Sequence, residues 1–371
     1  MTASSALQSA VDRPPLIPAS LWQPRPGLPA VRHHPAVLET GHAVPIDEGV
    51  LLLRLPLPFA LNHINVYLLE EADGWTIVDC GLDTPAARQV WSTVLASDRL
   101  GGRPVRRIVV THHHPDHVGL AGWLALRCQA PVFMTAGEHA VAGRYTDPAR
   151  DVVAERTPLW HEHGLPRPVA IELLQHMPRY SVQVHALPEG VEPIDTARPL
   201  VLGGRTWRPI VGRGHSPEHL SLLSEDASLM IGGDQVLPKI TPNIAVWPGG
   251  DPDPLRSYLG SLGPFAEIPD RTLLLPSHRQ PMWGVATRVE EIRAHHEERL
   301  QAVWQACREP MTCYEMLPVL FGRPLRHEEV GFGLGEAIAH LHFLQSEGVL
   351  VSSLDAQGRR RFARRPGSLS S

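Results

Sequence analysis

The chain has 371 residues, 43% hydrophobic and 20% charged, with a formal net charge of -5 when histidine is neutral. That supplies a large core, and the length suits one large domain with something smaller beside it. The charge balance gives no field favouring nucleic acid or acidic lipid, and no apolar run is long enough to span a bilayer.

In chain order, residues 1–40 read as a proline-rich, disordered lead-in. They lack a basic stretch followed by an apolar one, so they do not read as a signal peptide. Residues 41–286 form the main domain. Strand-length apolar runs recur at 50–55, 64–69, 75–78, 106–110, 131–134, 220–223, 229–231 and 272–275. Helical stretches at 84–96 and 118–127 lie between them, and this alternation predicts a layered α/β domain. Residues 136–185 interrupt the rhythm with proline-broken helical patterns and read as an insertion or lid. Residues 287–371 form a smaller domain. Helices at 288–307, 313–320 and 334–347 precede a hairpin over 349–362 that turns at 355–358, the order of a winged-helix-like module.

Cys80, Cys128, Cys307 and Cys313 form no C-x-x-C pair or disulfide framework, so they read as thiols of a reducing compartment, and the chain as cytoplasmic. Lys239 is the sole lysine. The 21 histidines are the outlier in composition, and histidine is the commonest metal ligand.

The densest histidine run is Thr111-His112-His113-His114-Pro115-Asp116-His117, directly after the strand at 106–110. His112 and His114, two apart, face one point, and Asp116 and His117 open the next helix toward a second. Imidazole nitrogen and carboxylate oxygen are ligands that zinc accepts. His215 lies in a glycine-rich loop, Asp234 follows the strand at 229–231, and His278 follows the strand at 272–275. Such strand ends gather along one sheet edge, where open α/β folds bind ligands. Bland readings compete: Asp116 as a helix cap, Asp234 as a turn residue. His113, His139, His161, His163, His295 and His296 take the bland reading, as surface or hydrogen-bonding residues. The 112–117 cluster does not, because its imidazoles would repel one another on protonation and serve no packing purpose.

This pattern, H-x-H-x-D-H followed by distant His, Asp and His, resembles the metallo-β-lactamase superfamily over roughly residues 50–285. Asp79 matches the superfamily's early strand-end Asp. The resemblance implies an αββα sandwich. It also implies one metal on His112, His114 and His215, another on Asp116, His117 and His278, and Asp234 bridging them. The tail is similar to the winged-helix extension of some hydrolases of this superfamily. Arg279 departs from the pattern, since glycine commonly follows the last His, and this bears on the shape of the pocket wall.

The cofactors expected are two zinc ions, with manganese or iron also fitting mixed nitrogen and oxygen ligands. Two such cations make a shared metal-bound hydroxide available as nucleophile near neutral pH, and Asp116 is placed to orient it and move its proton. Ser216 and Cys80 then read as structural. By similarity to the glyoxalase II-like branch, the expected substrate is a small ester or thioester. The alternatives are a lactone, or RNA cleaved with the help of the tail. The dense basic run, Arg359 to Arg361 with Arg364 and Arg365, is offset by acidic residues, which argues against RNA. The tail then serves as scaffold or homodimer interface. His219 reads as a structural residue or as one that hydrogen-bonds substrate or the groups behind the ligands. Asn243 and Trp247 line the site or pack, Tyr145 and Tyr180 offer phenols, and Lys239 is a solvated charge or an anchor for an anionic substrate group.

Overall fold

Two seven-stranded sheets form among the residues described, 15–367 of this computed structural model. Strand β1 (Arg32–His33) belongs to the second sheet. The first sheet runs in sequence order: β2 (Ala43–Asp47), β3 (Val50–Pro56), β4 (His63–Glu71), β5 (Gly74–Val78), β6 (Val105–Val109), β7 (Val132–Met134) and β8 (Glu192–Pro193). The second contains β9 (Leu200–Leu202), β10 (Arg205–Gly212), β11 (His219–Ser224), β12 (Leu229–Gly233), β13 (Leu273–Pro276) and β14 (Met282–Trp283), in the order β1-β14-β13-β12-β11-β10-β9.

Alternation along these strands explains the layering. Val50, Leu52, Tyr67 and Leu69 of the first sheet meet Leu220, Leu222, Leu229, Ile231, Leu273 and Leu275 of the second. The intervening Leu51, Leu53, Leu55, Val66 and Leu68 face outward under Ala87, Trp91 and Val94 of α1 (Pro85–Leu95). Both faces are covered, so the strands read as continuous apolar runs. Helix α1 starts cleanly: Thr84 accepts from the Ala87 amide, and Pro85 takes the first turn, where no donor is needed.

After β6 come α2 (Pro115–Val118) and α3 (Ala121–Cys128). The sequence predicts a single helix over 118–127. It breaks because Leu120 leaves helical geometry (φ -97°, ψ 8°) and its N–H turns to the Gly81 carbonyl at 3.0 Å. The 136–185 segment is helical: α4 (Ala136–Thr146), α5 (Val152–Glu162), α6 (Arg167–His176) and α7 (Tyr180–Gln183). Helices α8 (Pro254–Ser261) and α9 (Gly263–Ala266) connect β12 to β13. Strand pairs β5–β6, β6–β7 and β12–β13 are parallel. A parallel pair requires a crossover, so each leaves its C-terminal ends on the same side.

The tail is α10 (Val285–Ala306), α11 (Cys313–Phe321), α12 (Val330–Ser346) and the hairpin of β15 (Leu350–Leu354) with β16 (Arg360–Arg364). Its core is continuous with the outer face of the second sheet. Ile338, Leu341 and Phe362 share one apolar cluster with Leu255, Met230 and Leu274. The expected boundary at 287 falls inside the first turn of α10.

The disordered lead-in is corrected for residues 15–40; residues 1–14 lie outside the described residues. Leu16 and Ile17 are buried, and their amides donate to the Glu297 carboxylate. Trp22 Nε1 donates to Glu290 at 2.7 Å, and β1 pairs with β14. Two apolar anchors and a tryptophan suffice to dock a segment that looks polar and proline-rich overall. We expect Ile17→Ala to cost about 2–4 kcal/mol in urea unfolding; an unchanged midpoint would show that the segment does not contribute to the core.

Buried imidazoles, among them His163 and His340, sit where the tail packs on the main domain. His163 Nδ1 donates to Leu159 O and His340 Nδ1 to Glu336 O, each at 2.9 Å. Burial above all holds them down, to about 4 and about 3. Both values lie below that of a free imidazole, so the unfolded chain takes up protons first as pH falls. Their contribution is complete above about pH 6.5 and is lost toward pH 4. The melting temperature should drop across that window, and less steeply in His340→Gln; identical profiles would contradict this.

Candidate metal centre

Parallel strand ends deliver the predicted residues. Asp79 follows β5, the 112–117 loop follows β6, Asp234 follows β12 and His278 lies two residues past β13. His215 sits in the loop joining β10 to β11. The sequence suggested one sheet edge; the residues come instead from facing edges of two sheets. Backbone hydrogen bonds join these edges, Leu220 N to Thr111 O at 2.9 Å and Asn65 N to Ser277 O at 2.6 Å. Asp116 and His117 lie inside α2 rather than before it, with His114 as its cap.

All seven candidate ligands come together. His112 Nε2 lies 2.9 Å from His114 Nδ1 and 3.3 Å from His215 Nε2. Asp116 Oδ2 lies 3.4 Å from His278 Nε2 and 3.9 Å from His117 Nε2. Asp234 faces both sets: Oδ1 is 3.5 Å from His117 Nε2, while Oδ2 is 3.6 Å from His215 Nε2 and 3.4 Å from His278 Nε2. The donor atoms of His112, His114 and His215 lie within 4.8 Å of one another, as do those of Asp116, His117 and His278.

Neighbouring groups aim these side chains. Asp79 adopts φ 64°, which asparagine and aspartate tolerate better than most residues. From there its carboxylate accepts from Thr111 N (2.8 Å), Thr111 Oγ1 and His117 Nδ1 (2.8 Å). His215 Nδ1 donates to Asn243 O at 2.9 Å and His278 Nδ1 to His63 O at 3.0 Å. Each bond fixes a tautomer that leaves Nε2 free toward the centre. His219 Nε2 accepts from the Asp234 amide at 2.9 Å, so its role is to hold Asp234. Gly233 (φ 54°) makes room for it: a Cβ there would lie 2.5 Å from the His219 ring. Arg279 is held at φ 72°, which explains why glycine suits that position. Its N–H donates to His63 Nε2, and its carbonyl accepts from Arg54 and Asn65. The three bonds offset a strain of about 1–2 kcal/mol.

The electrostatics call for a cation. Burial and neighbouring imidazoles hold His112 and His114 well below the usual histidine range, in the neutral, ligating form. Burial opposes a charge on His117 too, yet Asp79, Asp234 and Asp116 raise it well above normal. His278 is likewise raised against burial, to about 10, by Asp234 and Asp116. The carboxylates therefore favour positive charge beside them, which a divalent ion would supply in place of protons. His117 Nε2 and Asp234 Oδ1 are buried without a hydrogen-bond partner, an unfavourable arrangement unless another group meets them. The donor set fits a metal.

Sequence reasoning missed Glu138. It is fully buried on α4, although its residue type and position gave no signal beyond helix propensity. Burial opposes its charge, but His113, Ser216 and the Glu218 amide bring its carboxyl down to about 2. His113 is its buried partner; His163 and His296 are also buried, and both are hydrogen-bonding residues, His163 to Leu159 O and His296 to His340. Tyr180 Oη donates to His113 O, and Tyr145 packs edge-on to both the Tyr180 and His113 rings; the Tyr180 hydroxyl is thus engaged with the backbone. Trp247 stacks under Arg156. Lys239 is exposed and lines a cleft of ≈ 530 Å³ with Arg288, His295, Arg299 and Glu336. Ser216 Oγ donates to Glu138, and burial pushes the Cys80 thiol well up; both fit the structural reading.

Comparison with known proteins gives the family. The profile described as "Metallo-beta-lactamase superfamily" matches residues 60–278, and "Metallo-beta-lactamase-like, C-terminal domain" matches 300–365. "Probable metallo-hydrolase YqjP" of Bacillus subtilis is 27% identical over 318 residues, 82% of this chain and 95% of that protein. A beta-lactamase domain protein from Burkholderia ambifaria is 39% identical at TM-score 0.82, covering 89% of this chain and 96% of that one. A metallo-beta-lactamase family protein from Thermus thermophilus is 30% identical at TM-score 0.74, covering 86% of this chain and 100% of that one. The chain belongs to the metallo-β-lactamase superfamily and is a metal-dependent hydrolase.

Since Asp234 faces both donor sets, elemental analysis should find two divalent ions per chain, and Asp234→Ala should lose more metal than any other single ligand variant. Full metal content in Asp234→Ala would remove it from the centre.

Proposed function

We propose that this enzyme hydrolyses a small ester or thioester, as in the glyoxalase II-like branch, at two divalent ions. His112, His114 and His215 hold one, Asp116, His117 and His278 the other, and Asp234 lies between. The observation that carries the two-ion part of this reading is the single Asp234 carboxylate facing two three-donor sets; the substrate class rests on the likeness to the glyoxalase II-like branch. Zinc suits the imidazole-rich set best, and manganese or iron would also bind it. The four free thiols fit a cytoplasmic setting.

Water is the nucleophile, because Ser216 is engaged with Glu138 and Cys80 is buried. Bound divalent ions supply acidity to that water and Lewis acidity to the carbonyl. Asp116 is the centre's most open carboxylate: its side chain is 20% exposed, against 10% for Asp234 and 3% for Asp79. It is the group that takes the proton from water at a carboxylate oxygen and returns one to the leaving group. His219 and Asp79 keep Asp234 and His117 oriented meanwhile. A lactone offers the same chemistry within a ring.

RNA is the weaker reading, for a specific reason. Arg359 pairs with Asp355, Arg360 with Glu162, and Arg361 with Glu315 and Asp355. Arg364 bonds the Trp304 and Gln305 carbonyls and stacks on Trp304. These arginines bind within the module and, through Glu162, to α5 instead of forming an open stripe. The order of three helices and a hairpin supports a winged-helix-like scaffold.

A panel of thioesters, esters, lactones, phosphodiesters and β-lactams on metal-loaded protein tests the proposal. Turnover is expected with thioesters or esters; turnover with phosphodiesters alone would overturn it. Asp116→Asn should lower kcat by about a hundredfold or more with the circular dichroism spectrum unchanged. Near-normal turnover would remove Asp116 from the proton path.

A further inference from the structure

Glu138 lies outside both donor sets, yet it touches both loops that supply the first. Its Oε2 accepts from His113 N at 2.9 Å and meets His113 Nδ1 at 2.6 Å. Its Oε1 accepts from Ser216 Oγ at 2.6 Å and from Glu218 N at 2.8 Å. Both oxygens are saturated. His113 stands between His112 and His114, and Ser216 directly follows His215. One buried carboxylate thus grips the neighbour of every ligand in one set, across the gap between the sheets.

The grip is reciprocal. Glu218 Oε2 accepts from the Gly137 amide at 2.7 Å, and Thr135 Oγ1 donates to Glu218 O at 2.9 Å. A Cβ at residue 137 would lie 2.7 Å from the Glu218 carboxylate, so glycine lets that side chain approach the Gly137 amide. The start of α4 is thereby locked to the 216–218 segment, and Glu138 carries the lock on to the 112–114 segment. The second set has other supports: Asp79 on His117 and the His63 carbonyl on His278.

We infer that Glu138 is a positioning residue that presets the spacing between the His112/His114 loop and the His215 loop, and so governs metal affinity at that set specifically. This rests on the ligand assignment proposed above. The carboxylate is required because each oxygen serves two groups. A glutamine would keep one accepting oxygen and turn an amide N–H₂ against two donors.

The test is cobalt(II) titration of the chelator-stripped full chain, with a competing chelator and the visible absorption spectrum as readouts. Glu138→Gln should weaken one cobalt site roughly 10- to 100-fold and alter its spectrum, leaving the other near wild type. Glu138→Asp, which keeps the charge, should recover part of the loss. Ser216→Ala, a milder change that decides the matter if Glu138→Gln does not fold, should weaken the same site about threefold. His215→Ala is the control for the ligand assignment. If His215→Ala binds cobalt like wild type, that assignment falls, and the clamp with it. If His215→Ala loses cobalt while Glu138→Gln or Ser216→Ala keeps wild-type affinity and spectrum, the clamp alone is overturned. A lower melting temperature of the metal-free variants with unchanged cobalt binding would likewise reduce Glu138 to a structural residue.

Discussion

Buried carboxylates set the terms for this structure. Removing a carboxylate from water costs several kcal/mol even after relaxation, so each must be met by donors or cations. Asp79 is met by Thr111 and His117, and Glu138 by His113, Ser216 and Glu218. Asp234 is met by three imidazoles that arrive from both sheets. That requirement fixes the sandwich at one edge. Tyr67 Oη and Asn65 Nδ2 bond the Pro276 carbonyl there, which holds β4 against the end of β13. The fold's large apolar interior keeps the layers together, and the polar edge sets their register.

Much of this was legible in the sequence, for physical reasons. Strands buried on both faces show unbroken apolar runs, so 50–55, 64–69 and 229–231 could be read directly. The 112–117 cluster was legible because so many imidazoles in one loop have no packing use. Other features left no local trace. Strand β10 contains Pro209, Arg205 and Arg208, which mask its alternation, yet Trp207 and Ile210 are buried from it. That the ligands come from two sheets depends on how the sheets stack, and spacing along the chain does not encode stacking. Glu138 looks like any helical glutamate until the 216–218 loop folds over it. The lead-in misleads because composition averages over Leu16, Ile17 and Trp22, the few residues that dock it.

The tail reaches the centre through a short chain of polar contacts. Arg299 pairs with Glu336, and Glu336 accepts from Asn243 Nδ2 at 3.4 Å. The carbonyl of the same Asn243 accepts the hydrogen bond from His215 Nδ1. Burial raises the Glu336 carboxyl, and Arg299 opposes that rise. The C-terminal module thus does more than cover apolar surface on the second sheet: it supports the loop behind one candidate ligand.

The most direct measurement is a crystal structure of the zinc-loaded enzyme with anomalous difference density at the zinc edge. Two peaks are expected, one among His112 Nε2, His114 Nδ1 and His215 Nε2, and one among Asp116, His117 and His278, with Asp234 contacting both. Density confined to another part of the molecule, or no density between these residues at saturating zinc, would contradict it.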